Sequence, residues 1–115
     1  MQYLLLICND ESGFASLSPE ERSAMTAEYE VFGNAMGSRG VLRGGERLRP
    51  TSDATTVQVR DGKVLTADGP FAETKEQIGG YFVVECKDLD EAIDVASQIP
   101  GARDGTIEVR PIWPM

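Results

Sequence analysis

The sequence predicts a single α+β domain, and three observations carry that expectation. Apolar runs of strand length open and close the chain. Two internal stretches combine helix start signals with apolar residues at helical spacing. Strand-like and helix-like segments alternate along the 115 residues, a length that supports one hydrophobic core spanning residues 1–115. Hydrophobic content of 41% and charged content of 26% are ordinary for a globular protein.

Gln2 to Cys8 is an unbroken apolar run, which fits a strand buried on both faces. Asn9 to Leu17 reads as a polar loop. Ser18-Pro19-Glu20-Glu21 announces a helix, with Ser18 as N-cap, Pro19 at the first helical position and Glu21 completing a capping box. Met25, Tyr29, Phe32 and Met36 then line one helix face, and Gly37 to Gly40 ends it. Val41 to Leu48 is a weaker strand in which Gly44-Gly45 suggests a bulge. Thr55 to Arg60, Asp61-Gly62 and Lys63 to Thr66 read as a β-hairpin with a two-residue turn. Tyr81 to Cys86 is a strong strand. Asp88 caps a second helix with Glu91 three residues on, and Leu89, Ala92, Ile93 and Ala96 are its expected inner face. Pro100-Gly101 stops that helix, and Thr106 to Ile112 is the last strand.

With the hairpin set aside, the order is β-α-β-β-α-β, the ferredoxin-like pattern, with expected sheet order 4-1-3-2. Two helices cover one face of such a sheet. Yet Leu4, Leu6 and Cys8 alternate with Tyr3, Leu5 and Ile7, and Tyr81 and Val83 with Phe82 and Val84, so both faces of the central strands are apolar. The second face requires a cover. A second subunit packed sheet to sheet supplies it, and the expectation is a homodimer forming an α+β barrel.

Composition narrows the function. A net charge of −8 argues against nucleic-acid binding and against an anionic membrane surface. The chain has no histidine, which removes His-containing zinc sites, Cys-His nucleophiles and Ser-His-Asp triads. Its carboxylates show no spacing that singles out a metal, and no cofactor motif is present: Gly79-Gly80 lacks the rest of a phosphate-binding loop. The six apolar residues Tyr3 to Cys8 are too few for a signal sequence or a membrane span. Cys8 and Cys86 sit in apolar runs and read as reduced thiols. The chain is expected to be cytoplasmic.

The topology also says where a site would lie. One end of the sheet gathers the exit of the first strand, the exit of the second and the lead-in to the third. Asp10, Arg47, Arg49, Asp68, Glu73 and Lys75 are expected to converge there, with Phe71 beside them. The arginines are the natural ligands for an anion, since a guanidinium holds a carboxylate or phosphate in bidentate fashion. Asp68 has two readings, a turn cap ahead of glycine or a general base. Phe71 reads as packing in the core or in a dimer interface, or as a substrate platform. Cys8 and Cys86 fall at opposite ends of neighbouring strands, so no bond between them is expected.

The segment from Thr66 to Tyr81, with Asp68-Gly69-Pro70-Phe71 at its heart and Ala72-Glu73-Thr74-Lys75-Glu76-Gln77-Ile78-Gly79-Gly80 following, resembles the signature of the DGPF-domain proteins of the YCII-related family. The opening Met1 to Ile7, the start Leu89-Asp90-Glu91-Ala92 and the closing Ile107 to Pro111 resemble it too. The resemblance implies a ferredoxin-like dimeric α+β barrel. It also implies an association with sigma factors in some members and a His-Asp dyad in others, and this chain lacks the histidine for that dyad. Two functional readings follow: a homodimer binding a small anionic molecule at the sheet rim, with Asp68 as base or acceptor, or a non-catalytic regulatory protein acting through protein contacts.

Overall fold

The long helix of this chain begins where a serine, a proline and two glutamates coincide. In a computed structural model describing Met1–Met115, the Ser18 hydroxyl accepts the Glu21 N–H at 3.1 Å, and the Glu21 carboxylate accepts the Ser18 N–H at 2.9 Å. This reciprocal cap satisfies two backbone donors that the first turn would leave orphaned. Helix α2, Pro19–Ser38, runs on from it to Gly40, whose φ of +73° takes the chain out of helical geometry. It buries Phe32 and Met36, with Met25 and Tyr29 half-buried on the same face.

The remaining elements are β1 (Gln2–Asn9), α1 (Glu11–Ala15), β2 (Leu42–Arg47), β3 (Thr55–Arg60), β4 (Lys63–Asp68), β5 (Gln77–Glu85), α3 (Leu89–Ser97) and β6 (Thr106–Pro111). The fold is mixed α+β with antiparallel sheets. The main sheet has the order β2-β5-β1-β6, which reads 4-1-3-2 once the hairpin strands are left out of the count, and β3 and β4 form a second, two-stranded sheet. Since β1 and β2 both run antiparallel to β5, they are parallel to each other and end at the same side of the sheet. The register of β2 slips between Leu42 and Gly44, the bulge that the paired glycines announce. Asp61 and Gly62 close the hairpin with φ of +51° and +74°, the geometry of a two-residue turn matched to strand twist.

Three local expectations differ from what forms. Asn9 to Leu17 holds a short helix rather than a loop throughout: Asp10 caps α1 by accepting the Ser12 N–H at 2.9 Å. That helix buries no residue, so it leaves no apolar period to read. β5 starts at Gln77, four residues ahead of the apolar run. In α3 the buried residues are Ala92, Val95 and Ala96, while Leu89 and Ile93 are exposed. Alanines let a helix axis approach a sheet closely, so the stripe centred on Ala92 and Ala96 makes the contact and the larger residues fall to its flank.

Tyr3, Leu5 and Ile7 of β1 and Val84 of β5 join Phe32, Met36, Val95 and Ile99 in one core on the helical side. On the other side of the same strands Leu4, Leu6, Cys8, Tyr81 and Val83 are half-buried. Cys8 and Cys86 are free and stand at opposite ends of the β1–β5 pair. Burial pushes both thiols up from their ordinary pKa, helped by Glu108 and Glu76 at Cys8 and by Glu91 at Cys86. Both sulfurs are thus free thiols whose ionisation is disfavoured.

Close backbone approach explains one glycine in particular. A Cβ on Gly105 would run into the Cys8 carbonyl oxygen, with the Asn9 backbone 3.3 Å away. Gly105→Ala is expected to destabilise the protein by about 1–3 kcal/mol, as overpacking against a rigid neighbour does. A urea midpoint equal to that of the parent would show that the turn is free to retreat.

Candidate functional site

Because β1 and β2 end together, the segments that leave them share one side of the sheet, and α1 and the first half of α2 pack over it. Between them lies a cleft of about 850 Å³. Its floor is strand backbone and ring: Gly45, Gly80, Ile7 and Phe82 from the sheet, with Tyr29 of α2 stacked on Phe82 at 6.5 Å. Gly45 is needed there, since a Cβ would sit 2.6 Å from the Phe82 ring and 2.7 Å from the Tyr81 carbonyl oxygen. The Tyr29 hydroxyl accepts the Gly101 N–H at 3.2 Å, and burial raises its pKa, so it stays a neutral phenol.

The wall carries the charge. The Arg47 guanidinium lies 4.7 Å from the centre of the Phe14 ring and that of Arg22 lies 5.3 Å from it. Neither arginine forms an ion pair with a carboxylate, although the chain has 19 acidic residues; Arg39 has two such pairs, and Arg49, Arg103 and Arg110 have one each. Arg22 donates only to the Ala15 carbonyl, at 3.1 Å. Arg49 also lines the cleft, but its guanidinium is bonded to Asp53 at 2.9 Å. Among the carboxylates, Glu11 is held by the Thr51 N–H and hydroxyl at 2.9 and 2.7 Å, while Glu30 and Glu46 line the cleft unpaired. Two solvent-exposed cations without a carboxylate partner therefore meet on one aromatic ring at the cleft wall.

The seven residues expected at the rim divide in two. Arg47 and Arg49 line the cleft. Asp10 is the cap of α1: hydrogen bonds from the Ser12 side chain and backbone hold its carboxyl below the usual range, with Lys75 adding a smaller pull. Asp10 and Lys75 thus stand near one another, yet neither faces the cleft. Asp68 is the last residue of β4, paired with Thr55, and Phe71, Glu73 and Lys75 are exposed on the loop that follows. Phe71 is 84% exposed, which rules it out of this chain's own core. No group of three or more acidic or cysteine side chains is placed to hold a metal.

Arg22, Phe14 and Tyr29 are the site residues that sequence reasoning passed over. Arg22 had a signal: a cation in the opening turns of a helix opposes the macrodipole and calls for a reason. Phe14 had one too, as a lone aromatic in a polar stretch. A second groove of about 520 Å³ runs between α2 and Ser97–Arg103, but its arginine, Arg103, is paired with Glu28.

A family model described as YCII-related domain matches residues 1–115. An uncharacterised protein of Rhizobium meliloti (strain 1021) is 38% identical over 114 residues, covering 97% of this chain and 92% of that protein. No helix is long and apolar enough to cross a membrane.

Proposed function

This chain belongs to the YCII-related family, and from that premise we propose that it binds a small anionic molecule in the cleft between α1, α2 and the sheet, as a ferredoxin-like homodimer. The observation that carries the reading is the pair of carboxylate-free guanidinium groups of Arg22 and Arg47 on the Phe14 ring. In a protein of net charge −8, leaving two cations unpaired in a concavity costs attraction that surface carboxylates elsewhere enjoy. A carboxylate or phosphate recovers it through charge-assisted hydrogen bonds to the two guanidinium groups. The dimer covers the open face of Leu4, Leu6, Tyr81 and Val83, so that two sheets close into a dimeric α+β barrel. Two free cysteines fit a reducing, cytoplasmic compartment. Asp68 and Lys75, outside this chain's own cleft, then serve structure or the partner's surface rather than the anion directly.

A second reading draws on Val57, Val59, Val64 and Phe71, all exposed: an accessory protein that acts by binding another protein. A thermal-shift screen against carboxylated and phosphorylated metabolites separates the two. Ligand at 100 times its Kd is expected to stabilise the fold by about 2.7 kcal/mol, a shift of several degrees. Neutral isosteres should produce none. Equal shifts from neutral and anionic compounds, or no shift from any, would remove the anion-binding reading.

A further inference from the structure

The hairpin Thr55–Asp68 stands apart from the rest of the chain. β3 and β4 pair only with each other, and the neck between them and the body is narrow, with the Gly69 N–H donating to the Ala54 carbonyl at 2.8 Å. Their register sorts the side chains into two faces. Val57, Val59, Val64 and Thr66 share one; Gln58, Arg60, Lys63 and Leu65 share the other. The first face is free of charge except for Asp68 at its base, and its three valines are 62%, 59% and 67% exposed. A lone two-stranded ribbon is at best marginal in water, and an exposed β-branched face invites company.

The size of the molecule says how much company. Its radius of gyration is 16.0 Å, where about 13 Å is usual for this length. Its accessible surface is 7976 Å², about 1,800 Å² above the roughly 6,200 Å² of a folded monomer of 12.5 kDa. Obligate homodimers hide about 1,000 Å² or more per chain. Four strands of some six residues span only about 400 Å² of plane. The open sheet face is small beside this surplus, and the projecting hairpin, with Val57, Val59 and Val64 exposed, adds apolar area to it.

We infer that the valine face of the hairpin lies against a second copy of this chain, so that hairpin and open sheet face form one intersubunit surface. The inference rests on the homodimer proposed above. The cationic face, with Arg60 and Lys63, then points to solvent, as a guarded edge should. Phe71, just past the neck, offers an aromatic anchor of the kind that dominates interfaces.

Sedimentation equilibrium of the whole chain tests it with variants at positions outside the buried core. The parent is expected to be dimeric at micromolar concentration. Val57→Lys combined with Val64→Lys should raise the dimer Kd at least 100-fold with an unchanged circular dichroism spectrum. Leu65→Lys, on the opposite face, should leave it within threefold. Leu6→Asp on the open sheet face should also dissociate the dimer. If Leu6→Asp dissociates it and the valine pair does not, the hairpin inference is overturned while the dimer stands. A monomeric parent would overturn both.

Discussion

Leu5→Ala is expected to lower the free energy of unfolding by about 2–5 kcal/mol, measured from the urea midpoint at constant m value. Leu5 is fully buried at the centre of β1, paired with Phe82 on one side and Val109 on the other. Alanine removes three carbons from a place whose neighbours belong to paired strands and cannot collapse into the gap. Set against a total of about 5–15 kcal/mol for a typical domain, the loss is large enough to leave part of the population unfolded at 37 °C. Leu4→Ala is the informative contrast. Leu4 is half-buried on the open face, so in the isolated chain its truncation should cost less than half as much. Equal losses at the two positions would place the core on both faces of a single chain.

The second large effect concerns binding. With the best anion found by the screen, Arg47→Ala is expected to weaken affinity about 10- to 150-fold, the range set by about 1.5–3 kcal/mol for a hydrogen bond to a charged group. Arg22→Ala should act in the same direction. Arg47→Lys should restore little, because an ammonium lacks the planar group that lies on the Phe14 ring. Arg49→Ala serves as the comparison: its guanidinium is already engaged by Asp53 and its side chain is 87% exposed, so the expected change is within about twofold. Isothermal titration calorimetry reads all four. Should Arg49→Ala weaken binding more than Arg47→Ala, the anion sits further out, towards the Pro50 turn.

How far the fold was legible follows from what each signal depends on. Ser18 with Glu21, Asp88 with Glu91 and Asp61-Gly62 are local devices, closed within four residues, and each does in the structure what its chemistry dictates. The alternation of Leu4 and Leu6 against Leu5 and Ile7 likewise reports two differently covered faces. The facing of α3 was not legible, because Leu89–Ile93 and Ala92–Val95–Ala96 are both regular helical stripes. Only the closeness that alanine permits decides between them. Of the residues that line the cleft, some were legible. Arg47 and Arg49 follow from where β2 ends. Arg22 reaches the cleft only because α1 forms and holds Phe14 between the two arginines, and a five-residue helix that buries nothing writes no period into the sequence. Asp68 ends β4 at the foot of the hairpin and Phe71 is exposed on the loop beyond it, so neither lines the cleft that Arg47 and Arg49 line.

The position of β1 has a consequence for how the protein is made. The first strand to be synthesised lies in the middle of the sheet, hydrogen-bonded to β5 and to β6. Its other partner, β6 (Thr106–Pro111), is made only after every other strand of the sheet. At about 5–20 residues per second, the apolar run Tyr3–Cys8 waits roughly 5–20 seconds for that partner. β5 can pair with one edge of it in the meantime, but the other edge stays open until β6 is made, so folding depends on contacts far apart in sequence. Of the main sheet's strands, β1 is thus the one left longest without its full set of partners.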